Sequence, residues 1–348
     1  MLWQGVQLSS WKKGLAVAGQ EPVVAGADDD RNRDRLSGWR ARHPCHNHFD
    51  VSESVDVADP MAVDAEVKQT FLSLYPGAST FKIDQAFRDI DALYHGRFPG
   101  YHSCDTGYHD IQHVLDVTLA MARLMEGWER ADTGREHFDA PLFCLGIVTA
   151  LFHDCGYVRE LDDTVHRNGG ELTLTHVSRG ARFLQRYLPQ AGMGDVADVA
   201  SALVHFTGYE IPVAQIEVPA PRYQLLGSML GSADIIAQMS DRCYLEKCRD
   251  RLYPEFVVAG IARKRLPDGR EEVAYNSGED LVRKTPNFYQ GAMRRLKWDL
   301  GACYRYAAYH FGGRDLYLAK IDNNVRFAAK LAETGSREIV ASMLKRAL

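Results

Sequence analysis

The sequence predicts an all-α protein, a helical bundle interrupted by one small β-hairpin. Two observations carry that prediction. From residue 59 onward, apolar side chains recur at helical spacing in segment after segment, as in Phe81, Ile83, Phe87, Ile90 and Leu93. At the centre, Pro141 to Phe152 is continuously apolar, too short for a bilayer span and too uniform for a helix with one wet face, so it predicts a helix buried all round. The exception to helical patterning is Val257 to Tyr275, where Pro267-Asp268-Gly269 marks a hairpin turn.

Taken in order, residues 1–58 show no sustained periodicity and include Asp28-Asp-Asp30 and Arg31-Asn-Arg-Asp-Arg35, which predicts a poorly ordered leader. His43-Pro-Cys-His-Asn-His48 lies within it without an apolar framework, as expected of an exposed polar tail. The remainder, 59–348, reads as one domain, with a core at about 80–245 and C-terminal helices over 287–348. Helices are expected near 108–126, 141–153, 171–188, 194–206, 224–250, 287–311 and 315–333.

The chain of 348 residues is 46% hydrophobic and 25% charged, with a formal net charge of −5. Such mild acidity argues against a nucleic-acid polymer as partner. Seven cysteines with no CxxC pair fit a reducing compartment better than a disulfide framework. With no run of transmembrane length, the expectation is a cytoplasmic protein without a membrane partner.

Residues able to do chemistry are spread along the chain. Tyr108-His109-Asp-Ile-Gln-His113 spaces two histidines by one helical turn, suiting a shared metal or one ligand beside one substrate-facing ring. His153-Asp154 ends the apolar helix, where an unpaired, dry pair would cost several kcal/mol. His176 shares a stripe with Gly180 and Leu184, and His205 follows Val199-Ala-Ser-Ala-Leu-Val204. Asp234 is the one carboxylate in an otherwise apolar helix and demands a counter-charge. Plain structural readings stand beside each: surface histidines at 109 and 113, hydrogen-bonded core histidines at 176 and 205, and an ion pair of Asp234 with Arg242.

Together, His113, His153, Asp154, His176, His205 and Asp234 form a nitrogen and oxygen donor set suited to two divalent transition-metal ions, drawn from Fe, Mn, Zn, Co and Ni. The natural partition bridges both ions with Asp154. His113 and Asp234 then go to one ion, His176 and His205 to the other, and His153 stands beside the first.

The run Tyr108-His109-x-x-x-His113-x-x-Asp116-Val117 resembles the start of the catalytic domain of class I cyclic-nucleotide phosphodiesterases. His153-Asp154 and Asp234 resemble the metal core of the HD-domain superfamily of metal-dependent phosphohydrolases. His176-x-x-x-Gly180 and His205 are similar to the extra ligands of HD-GYP cyclic-dinucleotide phosphodiesterases. The resemblance spans about residues 80–245 and departs at three points. Asp110 stands where asparagine is usual, Tyr157 stands where those proteins carry lysine, and no Gly-Tyr-Pro triplet follows His205. It implies an HD-domain helical bundle that hydrolyses a small-molecule phosphoester, foremost a 3′,5′-cyclic nucleotide or related nucleotide diester, by a metal-bound hydroxide. His109 would be the general acid and Asp154 its catalytic companion. Magnesium at one of the two sites is compatible with this, and a homodimer is left open. Arg179, Arg182 and Tyr108 are considered for contact with the phosphate or substrate. HD-domain di-iron oxygenases of the inositol-oxygenase type share this ligand order and form the alternative; Tyr108-His109 ahead of His113 weighs toward hydrolysis.

Overall fold

The computed structural model describes residues 48–131, 137–266, 268–333 and 342–343. Its architecture is the expected all-α one, with a single two-stranded sheet among the described residues. Helices α1 (Pro60–Leu74), α2 (Phe81–Tyr94), α3 (Ile111–Arg130) and α4 (Ala140–Leu151) form the first half. Next come α5 (His176–Gln190), α6 (Ala197–Leu203) and α7 (Pro221–Ser240), then the short α8 (Tyr244–Lys247) and α9 (Tyr253–Val258). The hairpin strands β1 (Arg263–Arg265) and β2 (Glu271–Val273) pair antiparallel with Lys264 opposite Glu272. Finally α10 (Gly278–Arg294), α11 (Tyr306–His310) and α12 (Leu316–Ala332) close the bundle.

Helix α3 is the hub and packs against α1, α4, α7 and α11. Its residue Gly127 is required by one of these approaches, because a Cβ there would sit 1.9 Å from the Tyr306 carbonyl oxygen at the start of α11. Asp139 caps α4 by accepting from the Leu142 amide at 2.8 Å, and Pro141 occupies its first turn. All residues from Leu142 to Leu151 are buried, as continuous apolarity dictates. The stretch Ala140–Tyr157 is apolar enough for a membrane span by composition, but 89% of it lies inside the fold.

Several expectations need correction. Residues 48–58, assigned to the leader, pack onto the bundle: Val51, Val55 and Val57 are buried, and Phe49 pairs with Asp56 in a β-bridge. Asp50 accounts for this by meeting the buried Arg123 of α3 at 2.7 Å. Of the histidines in the His43–His48 run, only His48 lies within the described residues. The helix expected over 224–250 stops at Ser240, where Asn324 of α12 donates to the free carbonyls of Met239 and Asp241, each at 2.8 Å. The helix expected over 287–311 begins at Gly278 and is broken at Gly301 and Ala302, both at φ +60°. Cys104, Cys144, Cys155, Cys248 and Cys303 are free thiols.

Candidate metal centre

Three element ends and one helix centre converge beneath α3. Asp110 caps α3, its carboxylate accepting the His113 amide at 3.1 Å, so the helix begins after His109. Asp110 is therefore what starts the helix. Consequently His109 and His113 do not project from consecutive turns of one helix as the spacing suggested. Their rings still lie 5.8 Å apart, at right angles.

His153 and Asp154 fall in the turn that follows α4 rather than in the helix, and both are almost wholly buried. The His153 Nδ1–H is placed to donate to the Ala150 carbonyl at 2.7 Å, and the His176 Nδ1–H to Thr173 O at 2.7 Å. Each bond fixes a ring and leaves its Nε2 lone pair facing inward. The next turn, Cys155–Tyr157, lies against the first turn of α5, and Gly156 permits it. A Cβ at that position would come 1.8 Å from the His176 carbonyl oxygen.

Asp154 sits between the rings. Its Oδ2 is 3.2 Å from His113 Nε2 and 3.3 Å from His153 Nε2, while its Oδ1 is 3.5 Å from His176 Nε2. From the middle of α7, Asp234 Oδ1 stands 3.4 Å from His113 Nε2 and 4.0 Å from His153 Nε2. His113, His153 and Asp154 offer donor atoms all within 4.8 Å of one another. The His153 Nε2 is close to the carboxylates but not aligned on either, and it remains buried without a hydrogen bond. An orphaned imidazole nitrogen flanked by carboxylate oxygens is the environment a divalent cation completes.

The electrostatics agree. Burial works against a charged His113, yet hydrogen bonding to Asp154 and Asp234, and their charges, raise its pKa to about 10. His153 is raised as well: burial opposes the charged ring, but the negative charges of Asp154 foremost and of Asp234 outweigh it. Burial pushes the Asp154 pKa up, but the neighbouring imidazoles hold it well below the ordinary carboxylate range. His176 is lowered, by burial foremost, which favours its neutral, ligand-competent form. A carboxylate held charged among imidazoles whose Nε2 atoms turn inward is a donor set that fits a metal.

His205 lies in the turn after α6 and makes no ion pair with Asp154 or Asp234; its buried Nδ1, like His153 Nε2, has no hydrogen-bond partner. Burial lowers its pKa. Two residues considered for substrate contact are otherwise engaged. Tyr108 is buried, and its hydroxyl donates to Gln238 Oε1 at 3.2 Å; Gln238 in turn donates to Asp234 Oδ1 at 3.3 Å. Arg179 Nε donates to the Gly156 carbonyl at 2.9 Å.

Two further residues escaped the sequence. Glu255 of α9, buried, takes the His109 Nδ1–H at 2.6 Å and the Tyr108 amide at 2.6 Å. Tyr157 is sandwiched between rings, stacked on His109 at 4.2 Å and on His176 at 4.3 Å. Glu255 carried a signal, since it is a lone carboxylate between Tyr253-Pro254 and Phe256-Val-Val258, the same anomaly that marks Asp234. Tyr157 carried none beyond its place after His153-Asp154.

No family model and no curated protein matches this chain. Among solved structures, the phosphodiesterase domain of the RhoPDE fusion protein from the choanoflagellate Salpingoeca rosetta is similar. The likeness covers 86% of this chain and 98% of that one, at 12% identity and a TM-score of 0.46.

Proposed function

We propose that the chain is a metal-dependent phosphohydrolase acting on a phosphodiester, with a 3′,5′-cyclic nucleotide as the substrate to test first. The observation that carries this is the pairing of a metal-competent group, His113, His153 and Asp154, with a carboxylate-anchored histidine, His109, one ring away. Divalent transition-metal ions in such a group supply Lewis acidity toward a phosphoryl oxygen and make water a nucleophile near neutral pH.

The protein's own side chains do the rest. Asp154 turns one oxygen toward His113 and His153 and the other toward His176, an arrangement suited to bridging two ions. Asp234 adds a carboxylate to the His113 side. Asp154 and His176 would hold the second ion, with His205 as the further nitrogen donor expected there. Glu255 accepts the Nδ1–H of His109 and thereby turns Nε2 toward the cluster and the Tyr157 hydroxyl, 3.5 Å away. In the doubly protonated ring the Nε2–H is the proton for a departing alkoxide. Tyr157 stacking restrains that ring from rotating away. A proton donor at this point is what ester cleavage needs and is not a requirement of oxygen chemistry, which favours hydrolysis over the oxygenase alternative.

The test couples elemental analysis of the purified full chain to hydrolysis of cyclic mononucleotides and a chromogenic phosphodiester. We expect bound transition metal, ester cleavage, and a loss of about 10²- to 10⁴-fold in kcat for His109→Ala at unchanged metal content. Oxygen uptake with a polyol and no ester cleavage would move the assignment to the oxygenase class. Full turnover by His109→Ala would remove His109 as the acid.

A further inference from the structure

Beside the Cys155–Tyr157 turn lies a cavity of about 120 Å³, lined by Tyr101, Gly156, Glu160, Arg179, Arg182 and Arg186 among others. None of these residues belongs to the metal-competent group. Three arginines spaced i, i+3 and i+7 fall on one face of α5, turned about the helix axis from the face that carries His176. Like charges at these spacings destabilise a helix unless something neutralises them. The lining offers one carboxylate for three guanidinium groups. Glu160 takes Arg186 at 2.6 Å and also accepts from the Tyr101 hydroxyl at 3.2 Å. Arg179 spends its Nε on the Gly156 carbonyl and reaches toward Val158 O at 3.4 Å. Arg182 has no hydrogen bond or ion pair among the described residues.

The cavity therefore carries two uncompensated positive charges and has room for several waters, enough for one tetrahedral oxyanion. Guanidinium groups bind phosphate oxygens in pairs, through hydrogen bonds strengthened by charge. We propose that this cavity is a phosphate-binding site, separate from the metal centre, for a phosphomonoester dianion or inorganic phosphate. Its position gives it a route to the centre. Arg179 holds the carbonyls of Gly156 and Val158, in the turn that begins at Asp154, so an occupant that engages Arg179 bears on the segment that sets the Asp154 carboxylate.

The experiment is calorimetric titration of the full chain with orthophosphate, and separately with adenosine 5′-monophosphate, before and after treatment with a chelator. The Arg182→Glu chain is titrated in parallel. Arg182 is exposed and unpaired, so reversing its charge leaves the fold intact, which circular dichroism and a thermal melt will verify. We expect binding that survives chelation, weakens with added salt, and falls by about tenfold or more in Arg182→Glu. Tighter binding of the nucleotide would identify a phosphomonoester as the occupant, and tighter binding of orthophosphate the free ion; both support the site. Binding lost on chelation would put the phosphate on the metal and overturn the proposal. Equal affinity in Arg182→Glu, or no heat at millimolar orthophosphate, would do the same. None of these readings uses turnover, so the site stands or falls independently of the hydrolase assignment.

Discussion

Replacing Asp50 with alanine tests whether residues 48–58 are part of the fold. The Asp50 carboxylate is 4% exposed and accepts from the Ser52 amide at 2.9 Å, the Ser54 amide at 3.0 Å and the Val55 amide at 2.8 Å. It faces Arg123, which is 2% exposed. Burial raises the Asp50 pKa, but Arg123 and these hydrogen bonds more than offset it and bring the value down to about 2, from 3.8. That shift alone is worth about 2 kcal/mol of preference for the charged form. Alanine also strands the Arg123 guanidinium, left with the Tyr317 hydroxyl at 3.2 Å. Removing one partner of a buried pair costs about 3–5 kcal/mol, so that is the loss expected at pH 7 from urea unfolding. Because the folded-state pKa is depressed, the stabilisation is present above about pH 4 and disappears as pH falls toward 2. In wild type the difference from Asp50→Ala should therefore narrow in acid. A loss below about 1 kcal/mol at pH 7 would mean that this segment is not held as described.

Three other outcomes follow from the same structure. Burial pushes the Asp116 carboxyl up to about 7, with Asp241 adding to it, and its Oδ1 has no hydrogen bond. Here the folded pKa lies above the unfolded one, so stability is intact below about pH 4 and is lost as pH rises through 7; Asp116→Asn should recover at most about 4 kcal/mol at pH 8, and equal melting temperatures for both chains at pH 8 would refute it. Glu255→Gln should lower kcat by about 10- to 100-fold and alter the pH–rate profile while metal content holds; an unchanged profile would reduce Glu255 to a structural role. Gly156→Ala must separate the turn from α5 and should cost about 1–3 kcal/mol by thermal or urea melting, along with metal retention, whereas wild-type stability would show that the contact yields freely.

What was legible in the sequence was whatever each segment decides alone. A run apolar on every face has to be buried, so α4 could be read directly, and the histidine and aspartate at its end marked the centre. Donor types on separate helices could likewise be read one at a time. What could not be read depends on partners far along the chain. Asp50 is anchored by Arg123, the end of α7 is fixed by Asn324, and His109 is held by Glu255. In the first and third of these, a polar residue is buried because a complementary one arrives from elsewhere, and local patterning scores such residues as exposed. The early end of α7 has a related cause: a tertiary donor satisfies carbonyls that propensity alone would have kept in the helix.

The placement of the donors explains how a dry site of this charge is tolerated. Apart from Asp234, they lie at element ends: His113 in the first turn of α3, His153 and Asp154 just past α4, and His176 at the first residue of α5. Helix starts expose unpaired amides and carry the positive end of the macrodipole, so α3 and α5 both favour an anion between them, and Asp154 is where they meet. Three residues back from each ring a carbonyl anchors its Nδ1, Ala150 O for His153, where the His153 amide also donates at 3.4 Å, and Thr173 O for His176. The same short-range bond therefore sets two candidate donor rings in two unrelated sequence contexts. A donor brought in from the helix centre, as Asp234 is, needs an outside hand instead, and Tyr108 through Gln238 provides it.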